Sequence, residues 1–278
     1  MTERPPANLT AVVQTGDTAA ISAALADLEA GEGTPDAATA AACRSLLPSP
    51  VKAICRRAAG ILARAVASGD AGVRASLLAA MTSEDPRERW GSCFALARGG
   101  VLGPEVLQGA VATLGASDGD VRWAAAEVVR AAVRLEPRLL EVVRAAAHDE
   151  SVAARGRAER RKMAIYCLRD LRDLDPTFEA AVFVEALDDS DRGVRLAALS
   201  AIGAVAVAEG VIAGDGIDVI ARLARCIESD DDIGVRRACA ATLGKLCGRF
   251  ERATEVLEKI EAASSDPDLL RAVRSALS

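Results

Sequence analysis

Between residues 191 and 205 the apolar positions Val194, Ala198, Ala201, Ile202 and Val205 stand at spacings that gather them on one face of a helix. The arrangement returns along the chain. An Asp able to cap a helix is followed three residues later by Val and four later by Arg, then by an Ala-rich run, at Asp191, Val194 and Arg195, at Asp232, Val235 and Arg236, and at Asp118, Val121 and Arg122. Asp85 and Arg89 give a weaker copy. The intervals are 33 residues from Asp85 to Asp118, 73 from Asp118 to Asp191 (room for two units) and 41 from Asp191 to Asp232, within the range of stacked helical hairpins. The pattern therefore predicts an all-α array in which each unit is a pair of antiparallel helices and no strand occurs.

The units can be set out in order. Residues 1–8 are expected to be disordered, with Pro5 and Pro6 preventing an early helix. Residues 9–34 are expected to form capping helices, one ending before Gly16-Asp17 and one starting at Thr18. Residues 35–278 form a single-domain array of about seven pairs: 37–47 with 51–66, 70–81 with 86–97, 104–115 with 120–134, 137–147 with a helix containing Met163–Leu168, 176–187 with 194–208, 217–228 with 233–248, and 251–263 with 267–276. Asp70 and Asp85 both match the capping pattern but lie only 15 residues apart, so Asp70 is assigned to an outer helix and Asp85 to an inner one. The fourth unit carries a basic insertion, residues 151–162, expected to be a surface segment that modulates binding and is dispensable for folding.

Composition sharpens this picture. Hydrophobic residues make up 51% but aromatics only 3%, so Ala, Leu, Val and Ile must build closely packed helical seams. The net charge of −6 disfavours a protein that binds nucleic acid or anionic membrane over its whole surface. No stretch is apolar enough to span a membrane and no signal region opens the chain, which leads to the expectation of a soluble, cytoplasmic protein. Seven cysteines form no Cys-x-x-Cys pair and the one histidine, His148, has no ligand-like neighbours. Small buried thiols are expected, with no metal and no cofactor.

The run Asp-x-x-Val-Arg-x-x-Ala-Ala-x-x-Leu/Ile-Gly, at 191–203 and 232–244, resembles HEAT repeats, especially the short bacterial kind related to phycobilin-lyase repeats. The resemblance covers residues 35 to 277. It implies a right-handed α-solenoid, the HEAT-like superhelix of armadillo-like proteins, and a role as a scaffold. It also implies a structural ladder between neighbouring units from Asp85 and Arg89, Asp118 and Arg122, Asp191 and Arg195, and Asp232 and Arg236. The unit beginning at Asp149 departs from the pattern, which leaves its ladder contact open.

Aligning the inner helices brings out a stripe opposite the Ala/Leu face. It carries Trp90, Phe94 and Ala97 in the second unit, Trp123, Glu127 and Arg130 in the third, Lys162, Tyr166 and Arg169 in the fourth, Leu196, Ser200 and Gly203 in the fifth, and Arg237, Ala241 and Gly244 in the sixth. Both Trp residues and the single Tyr fall on it although aromatics are scarce, which singles out Trp90, Phe94, Trp123, Glu127, Arg130, Lys162, Tyr166 and Arg169 as a concave surface for a partner. A half-buried Trp filling a gap between helices is the competing account. The first functional reading is a non-catalytic scaffold gripping a protein segment in this aromatic and basic groove. The alternative is a nucleic-acid-binding enzyme resembling the HEAT-like alkylpurine DNA glycosylases, with Trp123 and Glu127 acting on a cationic base; the family uses Asp where this chain has Glu127.

Overall fold

The computed structural model describes residues 8–31, 33–149, 155–174, 181–209 and 218–278. The described residues are helical, with short turns between helices and no strand. By packing the chain divides into two compact units, Met1–Val142 and Val143–Ser278, where the sequence pattern treats residues 35–278 as one domain.

In the first unit α1 (Leu9–Thr15) and α2 (Thr18–Ala30) precede three pairs: α3 (Ala37–Ser45) with α4 (Lys52–Ala67), α5 (Ala71–Ala80) with α6 (Pro86–Arg98), and α7 (Pro104–Thr113) with α8 (Gly119–Leu135). Asp70 and Asp85 cap α5 and α6, the outer and inner helices of their pair. After a 3-10 turn at Pro137–Leu139, α9 (Leu140–Ala147) leads into the second unit. There α10 (Arg155–Leu171), α11 (Ala181–Glu185), α12 (Arg192–Glu209), α13 (Val219–Ser229), α14 (Ile233–Cys247), α15 (Glu251–Ala263) and α16 (Pro267–Leu277) follow. Within each unit the even-numbered helices pack extensively on one another, α4 on α6 on α8 and α10 on α12 on α14 on α16, while the odd-numbered ones pack mainly on the even-numbered helices before and after them in the chain. The even row is thus the inner one.

Many of the helices begin where the sequence supplies an Asp. Asp17, Asp36, Asp70, Asp85, Asp118, Asp218, Asp232 and Asp266 each accept a hydrogen bond from a backbone N–H in the first turn of the helix that follows. Asp191 accepts from the N–H groups of Gly193 and Val194. Each such cap is worth about 1 kcal/mol. At Asp36, Asp218 and Asp232 the N–H groups of Thr39, Ala221 and Val235 are the main reason the carboxyls titrate below their ordinary range. Between the caps, Leu, Ile, Val and Ala fill the seams, with Leu25, Leu62, Leu96, Leu107 and Leu168 almost wholly enclosed. Small side chains allow the closest approaches. At Gly244 a Cβ would lie 2.7 Å from the Cβ of Ala276 and 2.9 Å from its carbonyl oxygen, so α14 and α16 touch there backbone to backbone.

The basic insertion differs from its expected form. Residues 150–154 lie outside the described residues, but from Arg155 onward the segment is the opening of α10. Its cations are tied into the fold: Arg160 pairs with Asp149, Arg161 with Asp189, and Lys162 with Glu159 at 2.7 Å. Five helical basic and acidic residues, Arg157 to Lys162 apart from Ala158, simply extend the inner helix toward its N-terminus. The expected helix 176–187 is described from Ala181; the expected loop 209–216 falls, apart from Glu209, outside the described residues.

Candidate binding surfaces

The residue preceding each stripe position is an arginine: Arg89, Arg122, Arg161, Arg195 and Arg236. Each donates to backbone carbonyls preceding its own helix, those of the turn or, for Arg236, of the last turn of α13. Arg89 bonds Ser83 and Glu84, Arg122 bonds Ala116 and Ser117 at 2.7 and 2.9 Å, and Arg161 bonds Asp149 at 3.1 Å. Arg195 bonds Asp189 and Ser190 at 3.0 and 3.3 Å, and Arg236 bonds Ile227 at 2.7 Å. In the second unit these side chains also reach the next turn along. Arg161 forks onto both carboxylate oxygens of Asp189 at 2.6 and 2.9 Å, Arg195 meets Asp230 and Asp231 at 3.0 and 3.1 Å, and Arg236 lies 3.6 Å from Asp266. The Asp189 contact is the main cause that holds the Arg161 guanidinium above its ordinary pKa. Arg161 thus occupies the ladder position of the fourth unit without the Asp-x-x-Val prefix. Alignment of Met163-Ala164 with Ala197-Ala198 was the signal for it.

The capping carboxylates receive a different arginine. Asp118 pairs with Arg87 at 2.5 Å and Asp232 with Arg192 at 2.7 Å, so the inter-unit partner of each cap lies one or two residues after the preceding cap, not four. Buried Arg195, whose side chain is 11% exposed, faces Asp230 at 7%, a pair that holds neighbouring turns together in a poorly solvated place.

On the first unit the stripe is not uniformly open. Trp90 is only 3% exposed, which corrects its expected place on an accessible surface. Its ring lies 5.5 Å from that of half-buried Phe94, tilted by 33°, and Arg98 sits 5.8 Å over the Phe94 ring. The reason lies in two ion pairs that jump a helix. Lys52 on α4 reaches Asp120 on α8 at 3.3 Å, and Arg56 on α4 reaches Glu127 on α8 at 2.5 Å. Packed helices stand about 8–10 Å apart, so these pairs need long side chains extended across the intervening helix. The bridging pairs span α6, and the large indole on α6 fills the space beneath.

Trp123, one turn before Glu127 on α8, is 49% exposed. Trp123, Glu127, Ala131 and Leu135 follow at four-residue intervals on one face of α8, and Leu135 is 71% exposed. Between this face and α6 opens a cavity of about 280 Å³ lined by Phe94, Arg98, Leu102, Glu127, Ala131 and Leu135 among others. Its walls are nearly all carbon. Leu102, Ala131 and Leu135 were missed by the sequence alignment, which stopped at Arg130; continuing the four-residue interval from Trp123 would have found the two on α8. Arg130 is half-buried on the same helix. Arg56 was missed because the alignment began one inner helix too late.

The other three predicted residues belong to the second unit. Lys162 is held by Glu159, and half-buried Tyr166 carries Arg169 at 5.2 Å over its ring. Arg169 also pairs with Asp170 at 2.9 Å and approaches Ser200 at 3.3 Å. Farther along the same row, Arg237, Ala241 and Gly244 line a groove of about 700 Å³ between α14 and α16, together with Lys245 and Arg271. Here the register that carries Trp123 and Glu127 on α8 carries small side chains and cations.

Such stacked pairs, with a ladder of arginines and one inner row of exposed positions, define the class of protein: an all-α solenoid built from repeated helix pairs. Residues 180–278 match the family model described as HEAT repeats. The fold of the chain is similar to that of yeast importin-β (Kap95p), with a TM-score of 0.59 at 14% identity over 96% of this chain and 40% of that one. Kap95p in two further structures, one concerning its effect on RanGDP and one a complex with Nup1, matches with a TM-score of 0.61 at 14% and 13% identity. This chain spans about 40% of the length of those importins. No curated protein matches the sequence. The glycosylase-like alternative finds no support among these comparisons. Among the described residues no helix is long and apolar enough to cross a membrane.

Proposed function

We propose that this protein is a non-catalytic scaffold that grips a segment of a protein partner on the inner face of its helix pairs. The observation that carries the reading is the apolar cleft of the first unit. Phe94 and the exposed Leu135 line a cavity of about 280 Å³, and the exposed Trp123 stands one turn before Glu127 of that lining on α8. A large aliphatic or aromatic side chain of a partner would enter the cavity, with Trp123 packing over its backbone, because indole and leucine surface left in water is regained on contact. Arg98, Arg130 and the Arg56–Glu127 pair form a polar rim that would orient the segment. Tyr166 with Arg169, and Lys162, would offer a separate contact on the second unit. Trp90 contributes from below by shaping the cleft. Kap95, of similar fold, is found in complex with Nup1, which agrees with use of this fold to hold a protein partner.

The reading is tested by placing a photo-reactive amino acid at position 123, identifying the cross-linked protein, and titrating that purified protein with wild type and Trp123→Ala. Truncation should weaken binding by about 2 kcal/mol, near thirtyfold, while thermal stability is unchanged. Equal affinity for the two would overturn the assignment of the cleft as the binding surface.

A further inference from the structure

We infer that the groove between α14 and α16 binds an extended acidic segment of a protein partner, through a surface separate from the aromatic cleft. The inference rests on the scaffold reading for the partner being a protein, but it is carried by different residues.

The first observation is charge. Most cations of the second unit have found carboxylates: Arg161, Arg195, Arg192, Arg222 and Arg252 are all paired. Arg237 and Lys245 have no ion-pair partner among the described residues, and both line the same groove of about 700 Å³. Arg271, the third cation there, is held at 3.2 Å by Asp268 one turn away. None of the described lining residues is itself a carboxylate. Two unpaired cations and one shared one line this concave space, with the Lys245 ammonium at its α12 edge beside Gly203, and a concave wall of low polarizability strengthens their field relative to an open surface.

The second observation is that glycines seat the cations of this row. A Cβ at Gly203 would lie 3.2 Å from Lys245 Nζ, and one at Gly193 would lie 3.5 Å from Lys162 Cδ. At Gly234 it would come 2.6 Å from an Arg192 guanidinium nitrogen. Lys245 is therefore laid along α12 in a gap that a larger residue would close, which limits the freedom it must surrender on meeting a ligand. Exposed Ala241 and the close Gly244–Ala276 contact form a small-residue floor on which a backbone can lie.

Shape and spacing select the ligand. Arg237 and Lys245 are eight residues apart on α14, about 12 Å along its axis. In an extended chain, side chains four residues apart point the same way and are separated by about 13 Å, so two carboxylates at that interval would meet both cations. Single-stranded nucleic acid would need a stacking platform, and the lining has no aromatic residue. A long polyanion would also run onto a chain of net charge −6, whereas a short acidic segment ends within the groove.

The experiment uses the full chain and a fluorescently labelled decapeptide alternating Glu and Ser, with the Gln/Ser peptide and an oligothymidylate of similar length as comparators. The Glu/Ser peptide should bind more tightly than either comparator, and less tightly as NaCl is raised. Arg237→Gln/Lys245→Gln should weaken it about tenfold or more, and so should Ala241→Trp, which fills the groove without changing its charge. Circular dichroism and melting confirm that both variants are folded; neither removes an ion pair. Trp123→Ala should leave peptide affinity unchanged, so failure of the aromatic cleft and failure of this groove read differently. Equal binding of the Glu and Gln peptides, loss in the charge variant without loss in Ala241→Trp, loss in Trp123→Ala, or tighter binding of the oligonucleotide would each overturn the inference.

Discussion

The positions that follow the ladder arginine carry Trp90, Phe94, Trp123 and Glu127 on α6 and α8, and they carry Arg237, Ala241 and Gly244 on α14. The helices at both places begin with a capping Asp, and both bury the same Ala, Val and Leu seam. Yet one groove is an apolar cleft crossed by ion pairs and the other a wide basic channel with a floor of small side chains. Packing between inner helices is determined by the seam and the turn contacts, so the outward register is free to differ from unit to unit without changing the fold. A Trp in that register is either enclosed, as on α6, or stands out from the row, as on α8. Glycine lets the next helix close in.

The sharpest way to break this comparison is to exchange the two kinds of Trp. Trp90→Ala should destabilise the protein by about 3–5 kcal/mol, because it empties a nearly sealed space between α4, α6 and α8. Trp123→Ala should change stability by no more than about 0.5 kcal/mol. Urea titrations followed by circular dichroism measure both. Similar losses would mean that the register does not separate a filling Trp from an open one.

A second test compares the arginine ladders of the two units. Arg195→Ala should cost about 3 kcal/mol, since it strands the enclosed Asp230 carboxylate without its partner. Arg89→Ala removes bonds to Ser83 and Glu84 carbonyls that water can reach, and should cost about 1 kcal/mol. Melting curves of the two variants settle the order. A larger loss for Arg89→Ala would show that the carbonyl contacts, and not the ion pairs, hold neighbouring turns.

These contrasts explain what could be read in advance. Helix number, order and caps were legible because each rests on local chemistry: an Asp at the first turn, a period near 3.6, a Pro or Gly at an end. Arg161 could be recovered from alignment alone. Whether a stripe residue faces water could not, because the answer depends on a residue two inner helices away. Trp90 is buried on the helix that the Arg56–Glu127 pair spans, and nothing in the sequence around Trp90 reports that approach. The basic groove was hidden differently, since Arg237 lay on the aligned stripe but Lys245 and Arg271 lay off it.

The glycine floor offers a smaller effect. Gly244→Ala should cost about 1–3 kcal/mol, because the new methyl meets the Ala276 backbone, which cannot move without parting α14 from α16. Gly203→Ala meets only the flexible end of Lys245, and its better helix propensity should offset the displacement to within about 1 kcal/mol. Thermal melts distinguish them. If Gly244→Ala were as stable as wild type, the two helices would be looser than their contact implies, and the groove would be correspondingly wider.

The smallest expected change in stability belongs to the ion pair that crosses α6. The Arg56 and Glu127 side chains are 41% and 54% exposed, so water screens their attraction, and Arg56→Ala should cost no more than about 1 kcal/mol. Its effect should appear in access to the indole beneath. In a Trp123→Phe background Trp90 is the sole tryptophan, and its emission should be blue-shifted and poorly quenched by acrylamide. Adding Arg56→Ala removes one side of the span over α6 and should raise the quenching constant while the melting temperature barely moves. Quenching that stays low would mean that α4 and α8 themselves seal Trp90, in which case the packing of the helices, not the ion pair across α6, separates the closed aromatic position from the open one.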